Sequence, residues 1–278
     1  MDDYIEEIEP IALTRSRRKL QEASCNFEEL RIIQKIAGPL NYLGHGILPP
    51  AWLFASRLQQ FVGNLKVSHL FIANNALRSL KRLSPSLCYQ STANKLDLCD
   101  SNVSVFAFSD ASTGNTPYGQ TCYISGLLLP TGGKNAFHVL DWHSSKQSRV
   151  SFSSVGADIL AAAESADRSI LLKDRLKNIL QIFLLTMVVE SFEIYSTLTT
   201  LHEGRDYRLR PNVSWIRDSF NSGELNYLHW IPGESNIADA FTKIKTDMLT
   251  RLNDAMLSGV LHRDMLSTSY KSIGRDTQ

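Results

Sequence analysis

Four acidic residues stand at the ends of four differently patterned segments, and a fold for this chain must account for where they go. Asp110 ends the alternating run Val103-Ser-Val-Phe-Ala-Phe-Ser-Asp110, and Asp158 opens the long apolar helix that begins Ala157-Asp158-Ile-Leu-Ala-Ala-Ala163. Glu190 closes Phe183-Leu-Leu-Thr-Met-Val-Val-Glu190, and Asp239 closes Trp230-Ile-Pro-Gly-Glu-Ser-Asn-Ile-Ala-Asp239. Carboxylates gathered from such ends repel one another unless neutralised, so their convergence implies bound cations. Oxygen-only ligation points to Mg²⁺ or Mn²⁺. Two such ions, roughly 3.5 to 4 Å apart, activate a water and stabilise the leaving oxygen of a phosphodiester. Taken singly, each acid reads as a solvated residue or a helix cap. The order of all four makes the metal reading worth pursuing.

The pattern around them is that of an α/β layer fold. Val103, Val105 and Ala107 share one face of the first strand, and Phe106 and Phe108 share the other, which suits a central strand covered on both sides. Further strands are expected over 119–129 and 137–143, joined by the turn Pro130-Thr-Gly-Gly133. A helix over 154–172 follows, with small residues at Ala157, Ala161, Ala162, Ala163 and Ser165 for close packing on the sheet. A fourth strand over 184–190, helices over 192–202 and 213–221, and a fifth strand over 225–231 complete the layer. The first hundred residues read as helical. An acidic start, expected to be extended or mobile, leads to a helix capped by Asn26, with Glu28 and Glu29 in its first turn and an apolar stripe of Leu30, Ile33, Ile36 and Ala37. Gly38-Pro39 is expected to end it. Two more helices are expected over 51–62 and 67–83, with Ser84-Pro85 ending the second.

Four stretches carry a resemblance to a known family. They are Phe108-Ser-Asp-Ala-Ser112, Ser144-Ser-Lys-Gln-Ser-Arg-Val150, Ser153-Ser-Val-Gly-Ala-Asp158 and, the most specific, Trp230-Ile-Pro-Gly-Glu-Ser-Asn-Ile-Ala-Asp-Ala-Phe-Thr-Lys243. Together they resemble the ribonuclease H segment at the C-terminal end of copia-type (Pseudoviridae) retrotransposon Pol polyproteins. Leu40-Asn-Tyr-Leu-Gly44 and Ala76-Leu-Arg-Ser-Leu-Lys-Arg82 are similar to the helical segment that joins polymerase to ribonuclease H there. The resemblance implies a reverse-transcriptase connection-like segment over 1–100, a ribonuclease H-like domain over 101–245 with a mixed five-stranded sheet flanked by helices, and a helical tail over 246–278. It also implies hydrolysis of the RNA strand of RNA–DNA hybrids. Asp110 would bridge two metals, Asp158 and Glu190 would each hold one side, and Asp239 would complete the shell. Lys146 and Arg149 would contact phosphates and sugar hydroxyls, and the missing polymerase part of Pol is a possible partner.

The sequence departs from that family at two of the four acids. The family carries Glu where Asp158 stands and Asp where Glu190 stands. Charge is kept, but each side chain changes by a methylene. Productive metal geometry tolerates only about half an ångström of error, and Mg²⁺ demands near-ideal octahedral distances. A catalytically weak or inactive nucleic-acid-binding relic is therefore the alternative reading. Glu164, six residues after Asp158, lies about 240° around the helix and does not replace it. Glu193 is expected in the first turn of the next helix. The turn after Pro232 has Gly233 and Glu234, without the histidine that some ribonucleases H carry there.

Composition narrows the partners. With 278 residues and a formal charge of only +1, no global field draws the chain to nucleic acid, so binding must rest on local clusters. Candidates are Arg15 to Lys19, Arg78 with Lys81 and Arg82, Lys146 with Arg149, and Arg205, Arg208 and Arg210. Cys25, Cys88, Cys99 and Cys122 show no metal-clip spacing and read as reduced thiols of an intracellular protein, cytoplasmic or nuclear. The histidines make no zinc pattern. The apolar run over 179–189 is far short of the ~20 residues that span a bilayer. No paired-aspartate polymerase turn, P-loop or nucleophile elbow occurs, and the resemblance then implies a detached C-terminal piece of Pol.

Overall fold

The structure, a computed structural model, describes residues 2–83, 87–89, 103–113, 119–131, 134–200, 206–243, 246–261 and 273–274. The chain divides into two compact units, Met1–Ser86 and Leu87–Gln278.

The first unit contains helices α1 (Asp2–Glu6), α2 (Arg15–Arg18), α3 (Phe27–Gly46), α4 (Pro49–Gln60) and α5 (Val67–Leu83). The acidic start is not extended. Its first residues form α1, which buries Ile5, and the segment after it buries Ile8 and Ile11, the Ile11 backbone exchanging two hydrogen bonds with the Asn74 side chain. Asn26 caps α3 in a full capping box with Glu29, whose carboxylate also holds Arg17 through two bonds of 2.7 Å. One member of the Arg15 to Lys19 cluster is thereby spent on structure. Contrary to expectation, α3 continues through Pro39 to Gly46. Proline removes one backbone donor, but the buried stripe of Ile33, Ile36, Ala37, Leu40, Leu43 and Gly44 runs on past it. Burying Leu40 and Leu43 is worth about 1.5 to 3 kcal/mol each, comparable to or greater than the lost bond. Gly44 lets α4 approach: a Cβ there would lie 2.7 Å from the Trp52 backbone.

The second unit is built on strands β1 (Ser104–Ser112), β2 (Gln120–Thr131), β3 (Lys134–Lys146), β4 (Leu184–Val189) and β5 (Tyr227–Trp230). Two-residue strands β6 (Val260–Leu261) and β7 (Ile273–Gly274) extend the edges, giving the order β6-β3-β2-β1-β4-β5-β7. Among the described residues the sheet therefore has seven strands where five were expected, with Val260–Leu261 and Ile273–Gly274 pairing at its edges. β1, β2 and β3 are antiparallel, and β4 and β5 run parallel to β1. This is the mixed sheet flanked by helices that the resemblance implies.

Helices α6 (Ser154–Leu180), α7 (Phe192–Thr199), α8 (Arg210–Ser222) and α9 (Thr246–Ser258) flank it. α6 is longer than read and ends at Gln181 in the left-handed conformation. Its residues Ile159, Ala162, Ala163 and Ala166 share a core with Val103 just before β1, with Val105 and Ala107 of β1 and with Leu185 and Met187 of β4. On the other face Phe108 meets Phe137 edge to face, and the buried 3-10 turn Ile237–Phe241 packs on β1 and β2. The expected turn over 130–133 and the residues Cys99, Arg205, Ser84 and Pro85 lie, wholly or in part, outside the described residues. No helix among the described residues is long and apolar enough to cross a membrane.

Candidate metal centre

Strand register brings Asp110 and Glu190 together. β1 and β4 are parallel with Phe108 opposite Val188, so two residues further along Asp110 comes level with Glu190. β4 and β5 are parallel with Val189 opposite Trp230, which starts the turn carrying Asp239 beside the same strand ends. Asp110, Glu190 and Asp239 each offer a carboxylate oxygen within 4.8 Å of the others. Asp110 is 2% exposed and Asp239 is 3% exposed, while Glu190 is only partly covered.

Neutral side chains fix the cluster. Asn236 donates from Nδ2 to the Ser109 carbonyl at 2.9 Å and to Glu190 Oε2 at 3.3 Å, and its Oδ1 caps the 3-10 turn through the Ala238 N–H at 3.1 Å. Thr242 Oγ1 donates to Asp110 Oδ2. Trp230 Nε1 donates to the Glu190 carbonyl at 2.7 Å, and a Cβ at Gly233 would lie 3.2 Å from Glu190 Oε2, so glycine leaves room for that carboxylate. Asp110 Oδ1 is buried and has no hydrogen-bond partner among the described residues.

Asp158 does not join the three. In a strand alternate residues share a face, so Asp110 falls with Phe106 and Phe108, whereas α6 packs on the face of Val105 and Ala107. From that side the Asp158 carboxylate accepts the Ala111 backbone N–H and feels the charges of Glu190 and Asp239 without being one of the converging ligands. Glu164 is engaged elsewhere, with Thr121 and His143, and Glu193 is exposed in the first turn of α7.

Lys243 is a member of the centre that the sequence reading quoted but gave no role. Its Nζ lies 2.7 Å from Asp239 Oδ1 and 3.8 Å from both Asp110 Oδ2 and Glu190 Oε1. The signal was its place four residues after Asp239, the spacing of a helical ion pair.

The electrostatics follow from burial and crowding. Burial, then the neighbouring Glu190 and Asp239, push the Asp110 carboxyl well above the usual range. Burial and Glu190 push Asp158 up to about 7, and burial with Asp239 raises Glu190. Burial works against the Lys243 ammonium, but Asp110, Asp239 and Glu190 outweigh it and hold it charged. Even with that ammonium present the Asp110 and Glu190 carboxyls stay raised, so it does not fully neutralise the cluster. Three hard oxygen donors, one of them carrying a buried oxygen without a partner, fit a divalent cation such as Mg²⁺ or Mn²⁺.

Lys146 and Arg149 are exposed at and beyond the end of β3. They line a groove of about 440 Å³ together with Thr121, Gln147, Asn212 and Trp215. Arg149 Nη1 lies 3.5 Å from Asn212 Oδ1. Of the other basic candidates, Arg208 pairs with Asp206 at 2.6 Å and stacks 4.1 Å from the exposed Phe152 ring, and Lys81 pairs with Glu6.

No family model and no curated protein matches the chain. Among solved structures, similarity is found to the N-terminal RNase H domain of rv2228c from Mycobacterium tuberculosis, at 13% identity and a TM-score of 0.36, covering 57% of this chain and 96% of that one. LC11-RNase H1 in complex with an RNA/DNA hybrid is similar at 13% identity and a TM-score of 0.38, over 53% of this chain and 99% of that one. The Prototype Foamy Virus protease-reverse transcriptase is similar at 11% identity and a TM-score of 0.29, over 65% of this chain and 23% of that one.

Proposed function

We propose that this chain is a ribonuclease H of copia-type Pol origin, hydrolysing the RNA strand of RNA–DNA hybrids at the centre formed by Asp110, Glu190 and Asp239. The observation that carries the reading is the buried Asp110 carboxylate, one oxygen without a partner, within ligand distance of two further carboxylates. Those three residues would hold Mg²⁺ or Mn²⁺, two ions if the family pattern applies, with Asp158 at the margin. When bound, the metal supplies activation of water and stabilisation of the leaving oxygen. Asn236 and Thr242 orient the ligands. The partial exposure of Glu190 leaves the centre open to a backbone on one side, and Lys146 and Arg149 would hold phosphates along the groove.

A second reading, a weak or inactive relic that still binds nucleic acid, is favoured by two observations. Asp158 stands apart from the three converging acids, and Lys243 already pairs with all of them. Gel cleavage of a labelled hybrid in Mg²⁺ and in Mn²⁺ separates the two. The enzyme reading expects cleavage that Asp110→Asn abolishes, stronger in Mn²⁺ because that ion accepts irregular ligation better. Absence of cleavage in both metals, with hybrid binding retained, selects the relic.

A further inference from the structure

We infer that Lys243 is a resident cation of the acidic centre: its ammonium holds the place of a divalent ion shared by Asp110, Glu190 and Asp239, and must move aside before that ion binds. The inference rests on the metal-centre reading and deepens it. An ammonium that served a single surface ion pair would touch one carboxylate. This one lies 2.7 Å from Asp239 and 3.8 Å from both Asp110 and Glu190, the same three residues whose oxygens converge within 4.8 Å. Its base is fixed, since the Lys243 backbone N–H donates to the Asp239 carbonyl at 2.9 Å. Its side chain is 26% exposed, so the long flexible stem has solvent to swing into.

The charge count points the same way. Three ionised carboxylates and one ammonium leave two negative charges uncompensated, and Asp110 Oδ1 has no hydrogen-bond partner among the described residues. The ammonium makes the metal-free fold tolerable without saturating the site. A divalent ion entering the same space would meet a positive charge a few ångströms away, and in a half-buried setting that repulsion is large enough to weaken binding measurably. Lys243 therefore lowers metal affinity and sets the metal concentration at which the centre fills.

The test is Mn²⁺ binding to the full chain, read by electron paramagnetic resonance of free Mn²⁺ and by the Mn²⁺-dependent shift in melting temperature. The unmodified chain is compared with Lys243→Met, Lys243→Gln and the charge-retaining Lys243→Arg. Lys243→Met should bind Mn²⁺ at least about tenfold more tightly, and Lys243→Arg should stay near the unmodified chain. If Lys243→Met folds only when Mn²⁺ is present, that also supports the inference, since the centre then demands a cation from one source or the other. If it folds under neither condition, Lys243→Gln carries the same comparison. Binding by the unmodified chain with equal or weaker binding by the neutral variants overturns the inference and leaves the metal centre standing. If no variant and not the unmodified chain binds Mn²⁺, both fall.

Discussion

Asp110 falls on one face of β1 while α6, which carries Asp158, packs on the other, and that difference governs what each substitution should do. Asp110 is a converging ligand whose carboxylate is costly to ionise in its buried place. Asp110→Asn should therefore leave the metal-free fold as stable as before or more so at pH 8, while reducing hybrid cleavage by more than about a hundredfold. A melt in EDTA beside a gel assay checks both halves. The folded value of about 7 for Asp158 lies above the ordinary carboxylate value of 3.8, so the neutral form is favoured by folding. That stabilisation is complete below about pH 4 and is lost as the pH rises through about 7. Asp110 and Glu190 act in the same direction. In EDTA the melting temperature should fall between pH 5 and pH 8, and Asp158→Asn should flatten that fall. An unchanged profile would show that Asp158 is not held neutral. Three of the four predicted acids converge, and sequence spacing showed which elements they end but not which face each would take. Strand alternation put Asp110 with Phe106 and Phe108, and the face chosen by α6 is a packing outcome that no local pattern states.

Among the elements, α3 shows where local signals point both ways. Gly38-Pro39 reads as a helix stop, yet the helix continues to Gly46. Proline disfavours the helical conformation of the residue before it mainly through contact of its ring with that residue's N–H and Cβ. Glycine has no Cβ, so Gly38 is the residue that makes Pro39 tolerable inside α3. The pair that resembles a terminator is also the pair a helix can pass through, and buried Leu40 and Leu43 decide the outcome. Gly38→Ala should accordingly destabilise the chain, although a Cβ there meets nothing within 4 Å. In a Pro39→Ala background the same substitution should stabilise by up to about 1 kcal/mol, the usual helix-interior gain of alanine over glycine. Denaturant unfolding of the four chains of this cycle measures the sign change, and two effects of the same sign would refute the account. In the second unit β1 was legible from its alternation of apolar residues and β4 from its nearly unbroken apolar run. The edge strands β6 and β7, two residues each, have no pattern to read, and their pairing rests on partners distant in sequence.

For the whole molecule, charge distribution matters more than total charge. The formal charge is only +1, and several basic residues are committed to intramolecular partners: Arg17 to Glu29, Lys66 to Glu22, Lys81 to Glu6, Arg208 to Asp206 and Lys243 to the acidic centre. A sequence count of basic clusters could not separate these from residues facing a groove. Lys146 and Arg149 do face one, beside Asn212 and Trp215. Hybrid binding should thus be weak at physiological salt, largely independent of sequence, and concentrated on few phosphates. Each phosphate contact contributes close to one unit to the slope of log affinity against log salt. Lys146→Ala with Arg149→Ala should lower affinity at low salt and reduce the slope by about one to two units, with little change in melting temperature because both side chains are exposed. Affinity measured by fluorescence anisotropy from 50 to 200 mM salt, on two hybrids of unrelated sequence, gives the slope directly. A slope unchanged by the double substitution would mean that the groove is only a solvated turn and that the hybrid is held elsewhere. A loss confined to one of the two sequences would mean that these residues read bases rather than backbone.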